Sequence, residues 1–490
     1  MSAPVSVAKG AALVIAMRWT HRLIGLVSTL ILARLLVPDD FGVVAQASLV
    51  VGLLDVLTDM GVASALIQNA NATQRHYDTA WTIRLAQFSL ATVAILLLAP
   101  TAGEYFGDAR VVPVLQVMSL GLIVAGCENI GVVNFQKEMR FGLDFRFMFT
   151  KRLSGFLITV TLAVLWESYW AMVAGAIGGR MVGVIVSYRM HPMRPRFSLA
   201  EFGSIFGFAQ WMLVRNIGNY LNNNVHRLLV GGRGSTAQMG AYSLANDVAQ
   251  MPGTEIISPL NRVLFPAFVR AKEDPEELNR LVLLALGVQA LVAIPACVGL
   301  GAVAHEAVLV LLGEKWLSAT AFIEILTLAY LVPSITSTPS YVLMSLGYVR
   351  LNAVVAWCQL VAFVSVAVLI LPTAGALEIA QIRLATVLVT LVGLLFVLVR
   401  TLPLMRWRSL LGVLFRPVAG AVCLVLAVDY VAAFLPANPY VSLVAKVATG
   451  ALAYVLSVVV LWLISGRPQG AESYLVSKLR SLRRARKKTS

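Results

Sequence analysis

The stretches RLLVPDDFGVVAQA (residues 34–47) and RLLVGGRGSTAQMGAYSLA (residues 227–245) are one motif written twice. RLLV recurs intact, and FGVVAQA (41–47) aligns with MGAYSLA (239–245), matching Gly42 to Gly240 and Ala47 to Ala245 with a few extra loop residues in the second copy. Self-similarity across so long an interval marks a chain built from two related halves. What the halves are made of follows from composition.

Of 490 residues, 59% are hydrophobic and only 13% are charged, and mean hydropathy is +0.82. These values place the chain among membrane proteins. About fourteen stretches are long enough to cross a hydrocarbon layer of about 30 Å, starting near residues 9, 39, 78, 111, 145, 168, 205, 236, 279, 317, 350, 376, 411 and 440. The expected fold is all-α and polytopic. Lys and Arg resist translocation, so their distribution orients the chain. Even-numbered connections hold Arg75, Lys137, Arg140, Arg194, Arg196, Arg270, Lys272, Arg280, Arg350, Arg406 and Arg408, whereas odd-numbered ones hold only Arg110, Arg233 and Lys315. Both termini are therefore expected on the cytoplasmic side. Much of the net charge of +15 sits in the tail from Gly466, which suits attraction to anionic membrane lipid and not to nucleic acid. Cys127, Cys297, Cys358 and Cys423 each lie alone in an apolar span and read as small core residues.

Both copies of the repeat fall between the first and second span of a set of six. Orientation repeats after six spans, so the halves are expected to be parallel and related by a pseudo-twofold axis along the membrane normal. This divides the chain into an N-terminal lobe (1–190), a cytoplasmic linker rich in Pro and Arg (191–204), a C-terminal lobe (205–400), two further spans (401–465) and a basic cytoplasmic tail (466–490).

Charges inside a membrane are costly and line cavities or pair with one another. The first seven spans hold Arg18, Arg22, Arg84, Lys151, Arg152, Arg180 and Arg215, each between the cytoplasmic surface and about the midplane. Arg18 and Arg22 share a helical face. Arg215, Asn219, Asn222, Asn223 and His226 fall within an arc of about 100 degrees, a polar wall on the seventh span. Asn amides suit sugar hydroxyls, and Arg suits phosphate through its planar fork of donors. The group Arg18, Arg22, Arg84, Arg152, Arg180, Arg215, Asn219, Asn222 and His226 is thus either a site for an anionic substrate or a structural ion-pair network. Embedded acids are fewer: Asp55 and Asp59 on span two, Asp247 and Glu255 on span eight. They either balance the arginines or carry a coupling cation, H+ or Na+. In span ten the two prolines of VPSITSTPSY (332–341) should break the backbone ladder.

No phosphate-cradling glycine loop with its lysine, no HExxH pair and no cysteine cluster occurs, so no catalytic residue, metal site or cofactor is assigned. Short loops such as VPDD and TAGEYFGDAR on the expected outer side leave little room for the catalytic loop of a sugar transferase or polymerase.

LARLLVPDDFGVVAQASLVVGLLDVLTDMGVASALIQ (32–68) and LLVGGRGSTAQMGAYSLANDVAQMPGTEIISPLNRVLFPAFVR (228–270) resemble the signatures of the Wzx-type polysaccharide and lipopolysaccharide flippases of the multidrug/oligosaccharidyl-lipid/polysaccharide exporter superfamily. The resemblance implies two six-helix lobes around a central cavity, two C-terminal helices and alternating access. It implies as cargo an oligosaccharide repeat unit on a polyprenyl diphosphate, moved from the cytoplasmic to the periplasmic leaflet of the bacterial inner membrane. Polysaccharide polymerase or export machinery would be a partner, and Arg18, Arg22, Arg180 and Arg215 would correspond to the family's cationic cavity. Where relatives commonly carry an acid before the second Leu-Leu-hydrophobic-Gly, this chain has His226 and Arg227. The alternatives are a drug or small-cation exporter of the same superfamily and a membrane glycosyl-transferring enzyme.

Overall fold

The structure is a computed structural model that describes residues 3–58, 61–436, 438–468, 470–474 and 477–478, with side chains described outside 1–15, 204–215, 255–256 and 258–263. No strand occurs among the described residues. Two compact units divide the chain, Met1–Ser243 and Leu244–Ser490.

The first unit comprises α1 (Ala3–Leu35), α2 (Pro38–Thr58), α3 (Val62–Gln68), α4 (Gln74–Phe106), α5 (Val111–Gly126), α6 (Val133–Lys137), α7 (Phe141–Trp166), α8 (Trp170–Met190), α9 (Phe202–Arg233) and the first half of α10 (Thr236–Ala249). The second holds the rest of α10, then α11 (Ser258–Ala271), α12 (Pro275–Ala302), α13 (Ala304–Leu311), α14 (Thr320–Ser345), α15 (Val349–Val364), α16 (Ala376–Thr401), α17 (Trp407–Ala432) and α18 (Pro439–Ile464). Among the described residues ten helical stretches are long and apolar enough to cross a membrane, and eleven if the bent run from α5 to α6 counts as one. The expected count of fourteen spans is not reached among the described residues: α1, α9, α10 and α11 do not qualify on length and composition.

Local chemistry sets the helix ends. Thr73 caps α4, its amide donating to His76 Nδ1 (3.2 Å), and Gly107 at φ 67° stops the helix in the left-handed region that glycine tolerates. Asp274 caps α12 ahead of Pro275, and Asn438 caps α18 ahead of Pro439.

The two copies of the repeat meet at one end of the first unit. A Cβ on Gly42 would stand 2.6 Å from the Thr236 carbonyl carbon, and one on Gly240 would stand 2.8 Å from the Pro38 carbonyl carbon and the Gly42 amide nitrogen. Thr236 precedes Gly240 by one helical turn, as Pro38 precedes Gly42, so the contact is reciprocal. The paired glycines let the first turns of α2 and α10 cross backbone to backbone. Around the crossing, Arg110 pairs with Asp39 (2.6 Å) and Asp108 (2.7 Å), and the Thr236 hydroxyl donates to Asp108 (2.8 Å). Hydrogen bonds from Arg110 hold the Asp108 carboxyl below its ordinary value against the opposing effect of burial. The same carboxylates hold the Arg110 guanidinium above its ordinary value. Gly231 and Gly232 seat the end of α9 against Phe106 and Tyr105, with Tyr105 donating to the Leu228 carbonyl (3.2 Å).

At Cys127–Asn129 the chain turns by 66° between α5 and the 3-10 turn Ile130–Val132 that leads into α6. Fully buried Asn129 replaces the lost helical bonds. Its amide donates to Ser187 Oγ (3.0 Å), its Nδ2 to the carbonyls of His191 and Met193, and its Oδ1 accepts from Gly131 (2.9 Å). The segment 191–201 is laced to α4: the amides of Arg196, Ser198 and Glu201 donate to Asp78 (3.0 Å), Thr82 (3.0 Å) and Thr79 (3.3 Å).

The second unit has its apolar core where α12, α14, α16 and α17 meet. Helix α14 runs unbroken through Pro333 and Pro339; the hydroxyls of Ser334 and Thr336 donate to carbonyls one turn back, and Thr338 donates to buried Gln289 (2.7 Å). Two ion pairs tie its C-terminal helices down: Lys446 of α18 with Glu306 of α13 (2.5 Å), and Arg416 of α17 with Glu472 (2.9 Å).

Candidate functional site: a cationic cavity in the first unit

Helices α7 and α8 pack closely because Gly155, Gly175 and Gly179 face one another across the contact. Between these helices and α1 lies a cavity of about 440 Å³, lined among others by His21, Lys151, Arg152 and Arg180. Among the described residues no carboxylate lines it. Arg180 stands at the midpoint of α8. Gly121 on α5 and Gly25 on α1 make room for the guanidinium groups: a Cβ would lie 3.2 Å from Arg180 Nη1 and 3.1 Å from Arg152 Nη2, respectively. Among the described residues neither Arg152 nor Arg180 has a carboxylate within 4.0 Å.

The remaining basic residues divide differently. Arg84 faces Glu128 (3.6 Å) and donates to the Ala125 carbonyl at the end of α5 (3.0 Å). Lys151, on the cavity wall, also reaches Glu128 (2.5 Å). Glu128 is 6% exposed and belongs to none of the acids singled out from sequence. Its only signal there is one acid in the otherwise apolar run before NIG (129–131).

The sequence candidates are thus partly gathered and partly dispersed. Arg152 and Arg180 share the cavity; Arg18 and Arg22 lie one turn apart on α1, the first exposed and the second half-buried. The side chains of Arg215 and Glu255, and Asp59 as a whole, lie outside the described residues. On α9, Asn219 is exposed and Asn222 half-buried. His226 is 2% exposed, with Nδ1 2.7 Å from the Tyr242 hydroxyl and Nε2 2.9 Å from the Asn223 carbonyl. A tautomer that accepts from Tyr242 and donates to Asn223 satisfies both ring nitrogens. Asp55 lines a second cavity of about 350 Å³ with Arg84 and Gln87. Asp247 accepts from Gln250 (3.2 Å) in the second unit.

Long apolar helices around a cavity whose Arg152 and Arg180 meet no carboxylate among the described residues define a multi-pass membrane protein of the solute-handling kind. The chain belongs to the family of polysaccharide biosynthesis proteins, whose model matches residues 31–321, more than half its length. It is 27% identical over 468 residues to the succinoglycan biosynthesis transport protein ExoT of Rhizobium meliloti (strain 1021), covering 93% of this chain and 91% of that protein. It is 27% identical over 333 residues to the lipopolysaccharide biosynthesis protein WzxC of Escherichia coli (strain K12), covering 67% and 68%. Among solved structures it resembles the lipid II flippase MurJ in an inward closed conformation, with a TM-score of 0.73 at 12% identity over 91% of this chain and 98% of that one. It also resembles an inward-facing multidrug resistance MATE family transporter of the MOP superfamily, with a TM-score of 0.57 at 13% identity over 77% and 94%. At these identities the likeness is one of fold.

Proposed function

We propose that this chain is a flippase for polyprenyl-diphosphate-linked oligosaccharide repeat units, carrying them from the cytoplasmic to the periplasmic leaflet of the bacterial inner membrane by ion-coupled alternating access, with both termini cytoplasmic. The carboxylate-free cavity holding Arg152 and Arg180 carries this reading. A diphosphate cannot cross hydrocarbon unaided, and a sugar chain would leave many hydrogen bonds unmade there. Arginine forks replace the hydration of phosphate oxygens. Family membership and the names of ExoT and WzxC support the same cargo class. A small-cation exporter would be poorly served by a wall of Lys151, Arg152 and Arg180, which repels cations.

Deleting the gene and assaying surface polysaccharide together with lipid-linked repeat units tests the proposal. A flippase leaves repeat units accumulated in the cytoplasmic leaflet and polysaccharide lost. Unpolymerised units on the periplasmic face would instead show an enzyme and overturn the reading.

A further inference from the structure

We infer that Glu128 is the counter-charge that Lys151 exchanges for the diphosphate of the cargo, so that one carboxylate tunes both the hold of the cavity and its release. The inference rests on the diphosphate reading proposed above and assigns a positioning residue to it.

Lys151 has two neighbours of different character. On one side Glu128 Oε2 lies 2.5 Å from its ammonium; on the other is the open cavity walled by Arg152 and Arg180. A lysine suits such a double role, because its charge sits at the end of a flexible four-carbon stem. The stem crosses Gly183 of α8, where a Cβ would come within 2.9 Å of Lys151 Cδ. Glycine at that position leaves the stem a flat surface to move along.

Departure of Lys151 would strand most buried carboxylates at a high cost. Glu128 is not stranded, because Arg84 stays. Its Nη2 is 3.6 Å from Glu128 Oε1 and is held by the Ala125 carbonyl (3.0 Å), while its guanidinium lies 5.7 Å from the Phe88 ring centroid. Arg84 therefore keeps the carboxylate neutralised while Lys151 turns to the cavity. With the cavity empty, Glu128 holds Lys151 and reduces repulsion among three cations. With diphosphate present, Lys151 supplies a third positive charge to it. Competition from Glu128 then recovers Lys151 and weakens the hold on the cargo, which favours release.

The test uses full-length protein in nanodiscs, inorganic pyrophosphate as the probe, and calorimetry for affinity, beside export of surface polysaccharide in a deletion strain. Removing the competing charge by Glu128→Gln is expected to tighten pyrophosphate binding about tenfold, as one freed charge nearby in a medium of intermediate dielectric allows, and to lower export. A residue with a merely structural role lowers both. Adding Lys151→Met to Glu128→Gln should return affinity to or below that of the unsubstituted protein. Glu128→Asp, which keeps the charge but shortens its reach, should fall between, and it provides the same comparison if the glutamine variant does not fold. Unchanged or weakened binding by Glu128→Gln, with Arg180→Ala still weakening it, overturns the inference and leaves the diphosphate site standing. Pyrophosphate binding unaffected by Arg152→Ala and Arg180→Ala overturns the site itself, and the exchange with it.

Discussion

Adding one methyl group at the glycine crossing separates two physical effects of opposite sign. In Gly42→Ala, helix propensity alone favours the variant by about 1 kcal/mol. The crossing predicts the reverse. The new Cβ would lie 2.6 Å from the Thr236 carbonyl carbon, where ordinary contact between carbon atoms needs about 3.5–4.0 Å. The first turns of α2 and α10 must therefore part by roughly 1 Å, the gap between that distance and normal contact. Backbone carbonyls cannot rotate out of the way, and parting also pulls on the Thr236–Asp108 hydrogen bond (2.8 Å). Overpacking of this kind costs about 1–3 kcal/mol, and a rigid neighbour places it at the upper end. Net destabilisation of about 2 kcal/mol should lower the apparent Tm of the purified protein by roughly 2 °C. Gly240→Ala should match it, because its Cβ would meet the Pro38 carbonyl carbon at 2.8 Å. One parting of the helices accommodates both methyls, so the double variant should cost clearly less than the sum of the two. An unchanged or raised Tm in Gly42→Ala, or strict additivity, would refute the reciprocal contact.

Other perturbations test separate parts of the structure. Burial pushes the His191 imidazole below its ordinary value, Arg140 and Arg194 adding to this and Glu138 opposing it, while Nδ1 accepts from the Met193 amide (3.2 Å). A histidine with a depressed folded pKa binds protons more readily when unfolded, so stability should fall as pH drops through about 6.5; thermal scans of His191→Gln should show a flatter pH dependence over that window. Breaking the buried Arg416–Glu472 pair (2.9 Å) by Glu472→Gln should cost about 3–5 kcal/mol, and adding Arg416→Met should recover most of the lost Tm. Asn129→Ala should destabilise by about 1–3 kcal/mol, since it leaves the buried Gly131 amide without its acceptor, while the His191 and Met193 carbonyls keep Arg194 as a donor.

The all-helical membrane fold is legible in the long apolar runs, though their count is not, because α1, α9, α10 and α11 fall short on length and composition; the repeat itself marks Gly42 and Gly240. The pairing of charges was not legible. Arg84 and Lys151 look alike as embedded cations in the sequence, yet both face Glu128, while Arg152, adjacent to Lys151, lines the cavity with Arg180. Which cation meets which acid depends on helix rotation and on the bend at Cys127–Asn129, and neither has a signature in hydropathy. Glu128 has no distinguishing signal in the sequence, because a single acid beside a helix break resembles a loop residue. His226 illustrates the opposite case. Its place on a polar arc suggested a cavity-facing group, but the neighbouring α10 supplies Tyr242 as a hydrogen-bond partner and buries the ring.

Translocation of a polyprenyl-diphosphate oligosaccharide in proteoliposomes, followed by the accessibility of its sugar to a membrane-impermeant lectin, tests the central claim most directly. The unsubstituted protein should move the lipid between leaflets. Arg152→Ala with Arg180→Ala should abolish movement while the protein remains folded and inserted, and Arg180→Lys should keep part of it. Full activity in the double alanine variant would contradict a cationic cavity that carries the diphosphate.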